Sequence, residues 1–423
     1  MGGDCGYDHQ PFPATAMNQT TLPDAPWRQR EGLALLCNIL GAEAGLSRFV
    51  GGAVRDTLLG QPVSDIDLAT QLAPAQVMEK LKAAGLKAIP TGLAHGTITA
   101  VLPGAAVEVT TLRRDLCTDG RHATIAYTDD WREDAARRDF TINALYADPL
   151  SGALFDYFGG LDDLALGQVR FIGDPLQRIA EDHLRILRFF RFVSRFSGQA
   201  DAAGLAAATA RANDLMALSR ERIADELLKL MLTQHAPATA KMMVENSILA
   251  PVLPEITIAG AQHLEQLAAR EAASGVAPNA IRRLASLLPA DPAVAETIGA
   301  RLKLSKAQRK QLIAATAPLD AMPARALAYR FGVGCATDRV LLAPSDRKTL
   351  ASELASLAGW PVPSLPISGG ALVERGVATG PAVARTLKAI ETAWVAQGFP
   401  TGGALGAIVD AAVAQALALQ SSA

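Results

Sequence analysis

The apolar positions change period along the chain, and that change divides it. Leu33, Leu36, Cys37 and Leu40 recur at helical spacing between Trp27 and Ala44 and predict a first helix ending near Gly45. A strand is expected at Arg48–Val50, broken by Gly51-Gly52, after which Ala53–Leu59 reads as a short helix closed by Gly60. Asp65–Ala69 is strand-like, Pro74–Ala84 is an amphipathic helix, and Thr97–Leu102 with Ala106–Leu112 forms a hairpin about Pro103-Gly104. Residues 115–134 are polar, hold a DG turn and lack a long period, which predicts a mobile excursion; order resumes over Arg137–Ala147. Beyond Gly173 the pattern is helical almost to the end, with breaks at Pro251, Pro254, Pro289, Pro361 and Pro366 and no fixed-period repeat.

This pattern gives an α+β fold: a mixed β-sheet head with covering helices, followed by an all-helical neck, body and tail. A chain of 423 residues is too long for one ordinary core. The expected division is a disordered leader at 1–26, a head at 27–150, a neck at 151–235 and a body and tail at 236–423. Met17 offers an alternative start. The net charge of −2 means that any polyanion must be met by a local basic surface. Cys5, Cys37, Cys117 and Cys335 lie far apart without a CxxC pair, which suits a reducing cytoplasm better than a disulfide framework or a zinc site. With no unbroken apolar run of spanning length and no signal-peptide pattern, a cytoplasmic protein without membrane association is expected.

Four short motifs carry chemistry. In Asp65-Ile66-Asp67, strand alternation sends both carboxylates to one face, where they repel unless a cation neutralises them; Mg²⁺ takes one or two carboxylates together with substrate phosphates. Ten residues earlier, GGAVRD places Gly51, Gly52 and Arg55 at a turn entering a helix, a combination suited to a triphosphate. In RRDFTINAL, Arg138, Asp139 and Asn143 surround a helical turn and offer charged and amide groups to a ribose or phosphate. EDHLRILRFFRF reads as a helix over Glu181–Phe192 with Asp182, Arg185 and Arg188 on one charged ridge.

The stretch RFVGGAVRDTLLGQPVSDIDLAT resembles the signature of class II CCA-adding enzymes and bacterial poly(A) polymerases, within the polymerase-β-like nucleotidyltransferase superfamily. The resemblance covers roughly residues 31–235 and fades beyond. It implies that Asp65 and Asp67 hold two Mg²⁺ ions for in-line attack of a 3′-hydroxyl on a nucleotide α-phosphorus. Glu108, in VEVTT on an adjacent predicted strand, is the candidate third carboxylate. RRDFTINAL corresponds to the family's ribose-reading motif, and EDHLR to its base-reading EDxxR motif, whose following arginines, here Arg188 and Arg191, line the nucleotide pocket.

C and A share an exocyclic amino donor beside a ring-nitrogen acceptor, so an Asp182 acceptor with an Arg185 donor would select them over U and G. DLCTDGRH matches the family's flexible loop, which favours full CCA addition or A addition over addition of C alone. The partners implied are tRNA, through its acceptor stem and 3′ end, with CTP and ATP. RERIADELLKLM, with Ile223, Leu227 and Leu230 at helical spacing, is expected to be structural. Arg301, Lys303, Lys306, Arg309 and Lys310, together with Arg170, Arg178 and Arg195, are candidate phosphate contacts. The histidines include no HD pair with metal-like spacing, so an appended phosphohydrolase is not expected. A poly(A) polymerase, an enzyme adding only the terminal A, and an inactive tRNA clamp remain as rivals; TGLAHGTITAVL resembles the CCA-enzyme version of its strand.

Overall fold

The computed structural model describes residues 20–118, 123–318 and 322–421. The chain divides into two compact units, Met1–Ala261 and Gln262–Ala423. The first begins with α1 (Leu33–Ile39), β1 (Ser47–Val50), α2 (Gly52–Leu58), β2 (Ile66–Thr70) and α3 (Pro74–Ala83). Next come β3 (Lys87–Gly92), β4 (Thr97–Leu102), β5 (Ala105–Thr111), β6 (Arg113–Thr118), β7 (Ala123–Tyr127), α4 (Trp131–Ala136), β8 (Leu145–Ala147) and β9 (Leu154–Asp156). Helices α5 (Gly160–Ala165), α6 (Pro175–Glu181), α7 (Arg185–Phe196), α8 (Ala202–Ala210), α9 (Arg220–Met231) and α10 (Ala236–Glu245) complete it.

Seven strands form one mixed sheet in the order β3-β4-β5-β2-β1-β8-β9, with β2 and β5 parallel and every other pair antiparallel. Alternation decides its faces. Ile66, Leu68, Ile98, Ala100, Val107 and Val109 are buried, so the intervening Asp67, Thr99 and Glu108 emerge on the opposite side. The buried side packs on α3 at β3 and β4, and on α2 at β1, β2 and β8. Edge strand β3 was not anticipated; its lone alternation, with Lys87, Ile89 and Thr91 exposed, offers no apolar period to find.

The first expected helix is three pieces. Turns of 3₁₀ helix at Pro26–Gln29 and Ala42–Ala44 flank α1, because Gly32 (φ 82°) and Gly41 (φ 75°) take left-handed backbone where a continuous helix cannot. The described part of the expected leader is tied to the sheet: Leu22 is buried, its N–H donates to Gly152 O at 2.7 Å, and Thr21 bridges to Ala153. The described parts of the predicted excursion, residues 115–118 and 123–134, are largely regular. β6 and β7 pair from Arg113↔Tyr127 to Thr118↔Ala123 and lead into α4, while the tip of the DLCTDGRH loop, residues 119–122, lies outside the described residues. Helix α10 packs on α7 and α9, and His235 N–H donates to Ser194 O at 3.0 Å, so the compact division falls at Ala261 rather than at residue 235.

Helix α11 spans Ile258–Ser274. The second unit continues with α12 (Ala280–Leu287), α13 (Pro292–Arg301), α14 (Lys306–Thr316), α15 (Ala324–Phe331), α16 (Val333–Leu342), α17 (Arg347–Leu357), α18 (Gly369–Glu374), α19 (Pro381–Ala396) and α20 (Gly402–Ser421). Its apolar clusters gather around Leu327, Val340 and Leu350, and around Leu372, Ile390, Trp394 and Val409. Among the described residues, α20 alone has the length and apolar composition to cross a membrane. It was not expected, because Asp410 interrupts the run; one face buries Ile408, Val409 and Val413 in the second cluster, and Asp410 pairs with Arg375.

Candidate active site

Parallel pairing of β2 with β5 sets Asp67 directly beside Glu108, and Glu108 in turn faces Thr99 on β4. Asp65 lies just outside the strand, exposed, with Oδ2 accepting from the Ser64 hydroxyl at 2.9 Å. The expected i, i+2 strand geometry therefore holds for Asp67 but not for Asp65, since pairing starts only at Ile66. Burial first, then the charges of Glu108 and Asp65, push the Asp67 carboxyl up to about 6, against a smaller opposing effect from Arg138. Among the described residues no three metal-binding side chains converge closely enough to form a finished site. The chemistry nonetheless fits a hard divalent cation: three carboxylates share one open end of the sheet, and their mutual repulsion is what a cation relieves.

Gly51 closes this end. Its φ of 70° needs glycine, its N–H donates to Leu145 O at 3.1 Å, and its carbonyl accepts the Arg55 N–H of α2. A Cβ on Gly51 would stand 3.6 Å from Arg138 Nη1, so the guanidinium lies over the turn. Gly160 is required for another reason: a Cβ there would collide with Thr141 O at 2.3 Å, so only glycine lets α5 press against the 141–143 turn.

The charged groups form one chain. Arg55, 5% exposed, donates to Asp56 at 2.8 and 3.0 Å and to Asn143 Oδ1. Asn143 Nδ2 donates to Asp139 Oδ1 at 2.9 Å, and Asp139 Oδ2 accepts from Arg188 Nε and Nη2 at 2.8 and 2.6 Å. Arg188 and Arg191 both reach Glu226, at 3.6 and 2.5 Å. Burial would raise the Asp139 carboxyl, but Arg188 and Asn143 hold it down at about 2. Arg55 faces inward and shapes Asn143 rather than standing open; burial lowers its pKa.

Arg138 and Asp139 precede a short 3₁₀ turn at Thr141–Asn143 instead of lying on a helix. The charged ridge expected over 181–192 is broken as well. Helix α6 ends at Glu181, Asp182 is extended (φ −149°, ψ 106°), and α7 restarts at Arg185. The cause is local: the Asp182 carboxylate accepts the Leu184 N–H at 3.1 Å and its carbonyl accepts the Arg185 N–H at 3.0 Å, which makes a new helix start. Asp182 is thus off the ridge, held by Arg222 Nη2 at 3.2 Å from both oxygens. Arg185 donates to Glu181 at 2.7 Å and to the carbonyls of Arg178 and Arg137 at 2.8 and 3.1 Å.

Sequence reasoning missed Asp134, Tyr146, Glu181, Arg222 and Glu226. Glu226 had a signal: helical spacing sets it three residues from Ile223 and four from Leu230, a carboxylate on the buried face of α9. The candidate phosphate contacts Arg170, Arg178 and Arg195 are engaged inside the unit, with Asp163, Glu181 and Asp56 respectively.

Residues 47–170 match the family described as Poly A polymerase head domain, and residues 203–259 match Probable RNA and SrmB- binding site of polymerase A. The chain is 36% identical over 386 residues to CCA tRNA nucleotidyltransferase 1, mitochondrial, of Homo sapiens, covering 87% of each chain. It is 31% identical over 359 residues to the CCA-adding enzyme of Limosilactobacillus fermentum, covering 82% of this chain and 88% of that one. The Bacillus stearothermophilus CCA-adding enzyme, solved in complex with CTP, superposes with a TM-score of 0.67 at 27% identity, over 86% of this chain and 93% of that chain. On this likeness along nearly its whole length, the chain belongs to the CCA tRNA nucleotidyltransferase family.

Proposed function

We propose that the protein adds C and A residues, from CTP and ATP, to the 3′ end of tRNA without a nucleic-acid template. The single observation that carries the site is the register Asp67↔Glu108, with Arg138 above the Gly51 turn on its flank. The 3′-hydroxyl gives up its proton to water as its oxygen attacks the α-phosphorus in line, the bond to the bridging oxygen breaks, and pyrophosphate leaves. Asp65 and Asp67, with Glu108 as third carboxylate, would hold two Mg²⁺ ions, which supply activation of the hydroxyl and neutralisation of the triphosphate.

The chain's own groups do the rest. Gly51 and Gly52 let backbone approach the phosphates, Arg138 and Asp139 meet the ribose, and Arg55 and Asn143 fix Asp139. Asp182 accepts from the exocyclic amino group of C or A while Arg185 donates to the ring nitrogen; U and G oppose like with like at both atoms. Arg188 and Arg191, anchored on Glu226, wall the pocket. The cytoplasm is the proposed location.

The test is incubation with Mg²⁺, labelled CTP and ATP, and tRNA ending at the discriminator base, with products sized to single nucleotides. Three added residues are expected. Extension only of tRNA already ending in CC would make it an A-adding enzyme, and long A tails a poly(A) polymerase.

A further inference from the structure

We infer that Asp134 is a positioning residue for sugar recognition: it fixes Arg138 and ties it to the base of the β6–β7 ribbon. This rests on Arg138 meeting the ribose, as proposed above. Asp134 is 1% exposed and stands on α4, one helical turn before Arg138. Its Oδ2 accepts from Arg138 Nη2 at 3.2 Å and from the Tyr146 hydroxyl at 2.7 Å; Oδ1 accepts from Arg137 Nε at 2.8 Å and from the backbone N–H of Arg113 at 3.2 Å. Arg113 opens β6, and its guanidinium donates to His95 O, so the ribbon is clamped where it leaves the sheet.

Arg138 is gripped from two sides. Nη2 is on Asp134 and Nε donates to the Tyr146 hydroxyl at 3.2 Å, while its carbonyl accepts from Arg178 at 2.9 Å. Among the described residues Nη1 alone of its three nitrogens has no protein partner, and it is the nitrogen that lies over Gly51. A donor that must distinguish a ribose hydroxyl from its absence works only if its direction is fixed, because a wandering guanidinium solvates either sugar. Asp134 supplies that fixed direction; burial opposes its charge, but Arg138 and Arg137, with the Tyr146 hydroxyl, keep the carboxylate ionised.

The experiment measures, in the full-length protein, kcat and KM for CTP against dCTP on tRNA ending at the discriminator base. Asp134→Asn, which keeps the size and removes the charge, is expected to lower ribo-over-deoxy discrimination about tenfold. Tyr146→Phe, which keeps the buried ring and removes one bond to each partner, should lower it about threefold and provides the reading if Asp134→Asn fails to fold. Arg138→Lys, which cannot keep the fork, is the control. Loss of discrimination in all three, ordered by severity, supports the inference. Discrimination unchanged in Asp134→Asn and Tyr146→Phe but lost in Arg138→Lys overturns it while leaving the ribose reading intact; discrimination unchanged in Arg138→Lys overturns the ribose reading itself.

Discussion

Both units contain networks of arginine and carboxylate, and they are built to opposite ends. In the second unit Glu271 takes Arg282 Nε and Nη2 at 2.8 and 2.6 Å and Arg283 Nε at 2.8 Å, while Asp338 takes Arg282 Nη1 at 3.0 Å and Gln311 at 2.7 Å. All four charged side chains are at most 6% exposed. In the first unit Arg138 keeps Nη1 unpartnered among the described residues, and the side chains of Arg188, Asp182 and Arg222 are each about one-third exposed. A sealed network of paired charges specifies how helices dock; a network that opens onto the surface, with a directed donor left over, can read a ligand.

The sharpest way to break this contrast is to remove a group that only a ligand would use. Asp67→Asn leaves its neighbours' packing intact and should lower nucleotide incorporation by about three orders of magnitude while changing tRNA affinity less than about threefold. Retained activity would remove Asp67 from the chemistry. The matching change in the sealed network is Glu271→Gln. It leaves Arg282 and Arg283 without their shared carboxylate and should cost about 3 kcal/mol of stability by denaturant titration, with nucleotide choice unchanged below the transition. Altered C-over-U selection in that folded variant would erase the distinction between the two networks.

Arg222→Ala tests the partly exposed side more finely. Arg222 holds Asp182 by both oxygens, so without it the acceptor should swing, and selection of C over U should fall about tenfold in single-nucleotide incorporation assays while KM for the triphosphate moves less than threefold. Unchanged selection would mean that the helix break at Asp182 suffices to aim it.

These residues also mark the limit of what the sequence conveys. The open face of the sheet was legible because alternation is local: Ile66, Leu68, Val107 and Val109 turn inward, so Asp67 and Glu108 turn outward. Register between distant strands is not local, so the Asp67↔Glu108 pairing lay beyond the pattern, and only the motif resemblance pointed to Glu108 as a third carboxylate. Helical spacing across 181–192 was real, yet a side chain capping its own backbone at Asp182 overrode it, as the glycines did inside the first expected helix. Asp134 was illegible for a further reason: two of its four partners, Arg113 and Tyr146, lie more than ten residues away.

The smallest expected effect concerns charge that belongs to neither network. Lys306 is exposed at the first position of α14, where Ser305 caps the helix by accepting the Gln308 N–H at 3.3 Å. A cation there opposes the helix dipole, and a carboxylate would favour it by about 0.3–1 kcal/mol. Lys306→Glu should therefore raise stability slightly. If the lysine meets a tRNA phosphate, as we expect, the same change raises KM for tRNA about threefold, lowers the salt dependence of binding by about one phosphate contact, and leaves KM for CTP unchanged. The two effects have opposite signs, so global damage to the fold cannot imitate them. A gain in stability with unaltered KM for tRNA would make this lysine part of a solvated face.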